Sequence, residues 1–273
     1  MALRLQQTGR RRFVIVEKAD GVGGVWRNNR YPGCACDVPA HLYSLSFAPN
    51  PDWRRHFAPQ PEILAYIERL ADPVRPQLRL GVEVVSARFE ADAAAWHLTF
   101  RDGNRLRARH LVLGLGGLHW PARPAIAGLD DFGGDCFHTA EWPDGFDPVG
   151  RRVAVIGTGA SAIQVVPALA QKVAALDVYQ RTPPWVMSRN DAAFGPMTRR
   201  AFAFVPGLRR LYRAATYARM ELLGAPLTTR PDLPPLAQKP IRKHRPPQVP
   251  RPRAARAPDA RLRARLQAHP AQR

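Results

Sequence analysis

Six residues, Gly157-Thr158-Gly159-Ala160-Ser161-Ala162, lie between an apolar, β-branched run at 153–156 and a stretch with helical spacing from 160 to about 171. A G-x-G-x-x-A turn in that setting suits the pyrophosphate of a dinucleotide. Its first glycine makes the tight turn, its second lets phosphate reach the backbone, and the helix N-terminus presents amide N–H groups without intrahelical partners. Gly157, Thr158, Gly159, Ser161 and, one turn on, Gln164 are therefore the candidate nucleotide contacts. The strand expected at 175–180 runs into Arg181. A carboxylate there would select NAD, whereas a guanidinium pairs with the 2′-phosphate of NADP, so NADP is the expected partner. Taken alone the six residues could equally be an ordinary strand-to-helix turn. The flanking strands favour the nucleotide.

A second acid stands in a similar place. Glu17 ends the β-branched run 13–17, read as a buried parallel strand, and Gly23, Gly24 and Trp26 follow it. An acid at a strand end binds the ribose of an adenine dinucleotide, but it belongs about 20 residues after a glycine loop. Only sixteen residues precede Glu17, and residues 1–9 are expected to form the second half of the helix that follows such a loop. The first strand and its phosphate cradle are expected to be missing from this chain.

Two further stretches carry more information than composition could supply. Residues 132–143 read F-x-G-x-x-x-H-x-x-x-W-P, with Phe132, Gly134, His138, Trp142 and Pro143 at fixed spacing just before the glycine loop. Residues 29–44 read Asn-Arg-Tyr-Pro-Gly-Cys-Ala-Cys-Asp-Val-Pro-Ala-His-Leu-Tyr-Ser. The first resembles the fingerprint, and the second the flavin-contacting segment, of the Baeyer-Villiger type of flavin-containing monooxygenase.

That resemblance implies FAD and NADP as cofactors, with molecular oxygen and a small ketone as substrates. The ketone becomes an ester or lactone by way of a C4a-peroxyflavin. It further implies that Glu17, Gly23, Gly24, Trp26, Asp37 and Tyr43 serve the flavin. Asp37, the one residue assigned a catalytic role, would hold an arginine arriving from later in the chain. His138 is implied to couple NADP binding to domain motion rather than to transfer protons. Gly114-Leu115-Gly116 departs from the family's A-T-G crossover, and residues 258–263 echo a helix that precedes a G-C-K-R segment absent here. The chain is accordingly expected to be catalytically incomplete. Two other classes stay open. One is a monooxygenase that oxygenates nitrogen or sulfur; the other is a non-catalytic NADP-binding or interaction protein whose basic tail meets nucleic acid.

The elements needed to position these residues give an α/β chain with two Rossmann-like dinucleotide-binding domains, the FAD domain incomplete. Residues 1–145 form the partial FAD domain and end in the fingerprint. Residues 146–230 form the NADP domain, with one or two helices from 198 to 223. Within the first domain a helix opened by Pro61 is expected at 61–70, and a β-meander at 81–87, 95–100 and 105–113.

Residues 231–273 form a Pro/Arg-rich tail in which little packed structure is expected. From Lys239 onward it holds eleven Lys and Arg against the single acid Asp259, which is +10 of the net +19. No aromatic residue from Pro231 on could stack on bases, which argues against specific nucleic-acid binding. The 45% hydrophobic content suits a globular chain, and no run approaches the ~20 apolar residues of a membrane span. Three cysteines and the lack of a secretory h-region point to reduced thiols and a cytoplasmic location; no metal-ligand spacing occurs.

Overall fold

The computed structural model describes residues 1–181, 189, 191–229 and 261–263, with side chains as far as 222. It divides into two compact units, Met1–Arg30 with Gln60–Pro143, and Tyr31–Pro59 with Asp144–Arg273. The segment Tyr31–Pro59, read from sequence as part of the first domain, thus groups with the second unit.

In the first unit, strand β1 (Ile15–Val16) pairs in parallel with β2 (Leu78–Arg79), and helix α4 (Gln60–Ala71) leads into β2 through a tighter turn at Asp72–Gln77. Helix α4 forms because Ile63, Tyr66, Ile67 and Leu70 recur at helical spacing, and it buries Ile63 and Tyr66. Helix α1 (Ala2–Gln7) is tied beside this crossover by Gln6, whose amide donates to the Pro73 carbonyl at 2.7 Å. Two short helices, α2 (Val25–Asn28) and α3 (Ala40–Tyr43), lie between β1 and α4 in sequence; α3 belongs to the second unit.

The meander forms as expected in order, β3 (Val84–Glu90), β4 (Ala95–Phe100) and β5 (Arg105–Ala108), all antiparallel. Its tight turn is Asp102-Gly103-Asn104: the Asp102 carboxylate accepts from the Asn104 N–H at 3.0 Å and Gly103 takes φ +85°. Ala95, Leu98 and Phe100 are buried, and Phe89 stands across from Trp96 with ring centroids 5.4 Å apart.

The last strand stops at Ala108, five residues short of its expected end. Beyond it Val112, Leu113, Leu115 and Leu118 are 62–86% exposed. A continuous apolar run becomes a buried strand only when neighbouring strands pair with it, and none of the described residues does so.

In the second unit β6 (Arg152–Ile156), helix α5 (Ala160–Ala170) and β7 (Ala175–Tyr179) form the expected β-α-β unit, β6 and β7 parallel from Arg152↔Ala175 to Ile156↔Tyr179. Val165 and Leu169 of α5 and Leu176 of β7 are buried in its core. Helices α6 (Pro196–Phe204) and α7 (Leu208–Thr229) follow, turned by Gly207 at φ +79°.

The tail falls outside the described residues except for β8 (Arg261–Arg263), which pairs in parallel with β7. The little packed structure expected of the tail is therefore corrected, over these three residues, to a strand. The physical reason lies in β7: paired with β6 on one side only, it offers the N–H and C=O groups of its other side to an added strand.

Candidate functional site

The glycine loop leaves β6 with Gly157 at φ +108°, a conformation that side-chain residues rarely adopt. Its N–H donates to the Tyr179 carbonyl at 2.9 Å, so the loop is pinned to the end of β7. A Cβ built on Gly157 or Gly159 would meet nothing within 4 Å. Gly159 is also the N-cap of the eleven-residue helix α5 and has no side chain with which to cap it. An open backbone face at the positive end of a helix is the donor set that a pyrophosphate requires, so the loop fits the group. Arg181 is exposed, two residues beyond β7.

Ser161 and Gln164, expected at the nucleotide, are engaged with the chain itself. The Gln164 side chain accepts from the Tyr31 hydroxyl at 3.0 Å and from the Ala35 N–H at 3.1 Å, and donates to the Ala35 carbonyl at 2.9 Å. Burial pushes the Tyr31 hydroxyl up to about 12, against the opposing hydrogen bond from Ser161. Gly33 packs so closely on α5 that a Cβ there would lie 2.7 Å from the Gln164 carbonyl. Asp37, two residues past Ala35, is exposed and forms no ion pair among the described residues; Tyr43 ends α3, 40% exposed.

The Asp37 segment is held from its other end by Trp53, Arg213 and the surroundings of His41. Trp53, 0% exposed, donates from Nε1 to Ser44 Oγ at 2.8 Å. The Arg213 guanidinium of α7 donates to the carbonyls of His41, Leu42 and Ser44, capping the C-terminal end of α3. His41, 3% exposed, lies edge-on to the rings of Phe194, Phe202 and Tyr212, with centroids 4.7–5.5 Å away. Burial, then the charges of Arg209, His56 and Arg213, hold its imidazole down at about 4. In the sequence only the one-turn spacing of Arg209 and Arg213 hints at this cluster.

In the first unit Glu17 stands at the end of β1. Its N–H donates to the Arg79 carbonyl at 3.0 Å and its carboxylate accepts from the Ala19 N–H at 2.9 Å. Gly24 takes φ +51° with open space where a side chain would be, whereas Gly23 is packed, a Cβ there falling 2.6 Å from Leu64. The Trp26 carbonyl accepts from the Gln60 side chain. Glu17 and Gly24 fit the ribose end of a flavin dinucleotide: one is an acceptor at a strand end, the other an unobstructed backbone approach.

The fingerprint forms a single tight turn at Thr139–Glu141. His138 is its N-cap, Nδ1 accepting from the Ala140 N–H at 3.1 Å, and Trp142 closes it with its ring edge-on to Phe137 at 5.2 Å. Gly134 leaves room for the Phe132 ring, 2.8 Å from where its Cβ would be. Among the described residues no group of His, Cys, Asp and Glu could hold a metal.

A parallel β-α-β unit with an open glycine loop in one unit, and in the other an acid-ended strand with its own glycines, define an α/β protein of the dinucleotide-binding class. Residues 1–59 match the family model of an NAD(P)-binding Rossmann-like domain, and residues 52–203, more than half of the chain, that of L-lysine 6-monooxygenase/L-ornithine 5-monooxygenase. A Baeyer-Villiger monooxygenase of Pseudomonas aeruginosa is 46% identical over 246 residues, 89% of this chain and 47% of the relative. One of Streptomyces coelicolor is 45% identical over 233 residues, 85% of this chain and 45% of the relative. Among solved structures, oxidized steroid monooxygenase bound to NADP matches with TM-score 0.69 at 40% identity, over 77% of this chain and 42% of that one. Cyclohexanone monooxygenase with ε-caprolactone bound matches with TM-score 0.65 at 38% identity, over 70% and 39%. The chain thus belongs to the monooxygenase family of that second model, which covers more than half its length, and it is similar to Baeyer-Villiger monooxygenases at 45–46% identity. It spans about half the length of the curated relatives it matches.

Proposed function

We propose that this chain carries the NADP site and part of the FAD site of a Baeyer-Villiger monooxygenase, an enzyme that inserts one atom of molecular oxygen beside the carbonyl of a small ketone. The observation that carries the reading is the open glycine loop of α5 in a β-α-β unit whose second strand leads to Arg181. FAD, when bound, supplies the redox and oxygen chemistry. The chain's own residues bind and orient. The backbone of Gly157 and Gly159 holds pyrophosphate, Arg181 takes the 2′-phosphate, and Glu17 and Gly24 receive the adenosine end of the flavin. Asp37 and Tyr43 are presented on a segment fixed to α5, where the exposed Asp37 carboxylate is available to orient a cation. His138 shapes the fingerprint turn through its Nδ1 and moves no proton there.

The location that fits is the cytoplasm. Cys34 and Cys36 are buried thiols, Cys136 is an exposed one, and no described helix is long and apolar enough to cross a membrane. A basic tail without aromatic residues supports no specific nucleic-acid partner.

The test is binding by the chain itself. NADPH should quench tryptophan fluorescence at lower concentration than NADH, and equal affinities would count against the NADP assignment. The match to the lysine/ornithine monooxygenase model favours a second reading, oxygenation of an amine nitrogen. Product analysis on cyclic ketones and on lysine and ornithine, using the chain joined to the remaining part of the Pseudomonas aeruginosa relative, separates the two.

A further inference from the structure

Gln164 is placed to bind nucleotide by sequence, yet its amide faces the peptide of Ala35 as a neighbouring strand would, accepting from its N–H and donating to its carbonyl. Ser161, Gln164 and Ala168 lie three and four residues apart, hence on one face of α5. Each meets the same stretch of chain: Ser161 and Gln164 at the Tyr31 hydroxyl, and Ala168 beside Gly33. Tyr31, Cys34 and Cys36 are 3–8% exposed, and the Cys36 N–H donates to the Ala58 carbonyl at 2.9 Å, carrying the attachment into the returning arm of the segment. Asp37 is the next residue. The glycine loop occupies the N-terminus of the same helix, one turn before Gln164.

We propose that Gln164, with Tyr31, is a positioning residue that couples occupancy of the glycine loop to the placement of Asp37. The coupling rests on the NADP reading above. A pyrophosphate bonded to the first-turn amides of α5 suppresses fraying of that turn, and Gln164, in the second turn, passes the restraint to Ala35 and so to Asp37. The chemistry needs a neutral amide, because only Gln both accepts and donates at that reach; Glu could accept from the Ala35 N–H but would set a carboxylate against its carbonyl.

Amide hydrogen exchange of the full 273-residue chain, with and without saturating NADP+, tests this in the parent, Gln164→Ala, Gln164→Glu and Tyr31→Phe. In the parent, NADP+ should slow exchange both at 157–164 and at 34–38. In Gln164→Ala and Gln164→Glu the loop should still be slowed, while exchange at 34–38 becomes about tenfold faster and indifferent to NADP+. Tyr31→Phe, which removes one hydrogen bond of the set, should give part of that uncoupling, and it is the variant to read if the Gln164 variants fail to fold. A merely structural Gln164 would speed exchange at 34–38 yet leave the response to NADP+ intact, which would overturn the proposal; so would slowing confined to the loop in the parent. No slowing at the loop in the parent would instead overturn the NADP reading, and the coupling with it.

Discussion

The two regions that look alike in sequence, an acid or arginine after a strand with glycines nearby, differ in what backbone surrounds them. Around Gly157 a five-residue strand, an eleven-residue helix and a second five-residue strand are all in place. Around Glu17 the strand is two residues long and its pairing is a two-residue ladder with β2. A ribose acid is one side chain and survives by itself. A phosphate cradle is a set of oriented N–H groups that exist only where strand, turn and helix are joined, and no side chain replaces it.

The contrast is broken most decisively if the 273-residue chain, given FAD and NADPH, turns over ketones. It should release no ester or lactone by gas chromatography, since it contains neither a glycine loop before Glu17 nor a G-C-K-R segment to bring an arginine to Asp37. For the same reason it should not emerge from gel filtration with one FAD per chain. A flavin absorbance band at that stoichiometry would mean that Glu17 and its neighbours suffice.

The second unit should depend on its interior more than on its loop. Trp53→Ala removes a fully buried indole and its bond to Ser44, and should cost about 3–5 kcal/mol. Urea unfolding followed by circular dichroism measures this, and a loss below about 1 kcal/mol would show that the Tyr31–Pro59 segment is not anchored there.

A smaller effect sharpens the nucleotide side. Arg181→Ala should weaken NADPH by roughly 10- to 150-fold, from about 1.5–3 kcal/mol for a charge-assisted contact, and leave NADH nearly unchanged. A loss shared by both nucleotides would remove Arg181 from the 2′-phosphate.

The smallest effect at neutral pH comes from His41. Its imidazole is held down at about 4 in the folded chain by burial and by the charges of Arg209, His56 and Arg213, against about 6.5 when unfolded. The unfolded chain therefore takes up a proton first as pH falls. The stabilisation is fully present above pH 6.5 and is lost progressively from there to about 4. His41→Leu should flatten that part of the stability profile while changing little at pH 8; an unchanged slope would show that His41 is more open to solvent than its 3% exposure indicates.

The sequence by itself determined what is local: the glycine turn from its spacing, α4 and α5 from their apolar period, the meander from Asp102-Gly103-Asn104, and the family from residues 29–44 and 132–143. These follow from backbone conformations and periodicities confined to a few neighbouring residues. Only the tertiary structure decided where long-range partners fall. It grouped Tyr31–Pro59 with Asp144–Arg273, turned Gln164 toward Ala35, 129 residues away, buried His41 among rings from α6 and α7, and ended β5 at Ala108. A glutamine at the second turn of a nucleotide helix has the same local signal whether it meets a ligand or a peptide. The choice depends on whether a chain segment with glycine at the point of closest approach, here Gly33, can reach the helix first.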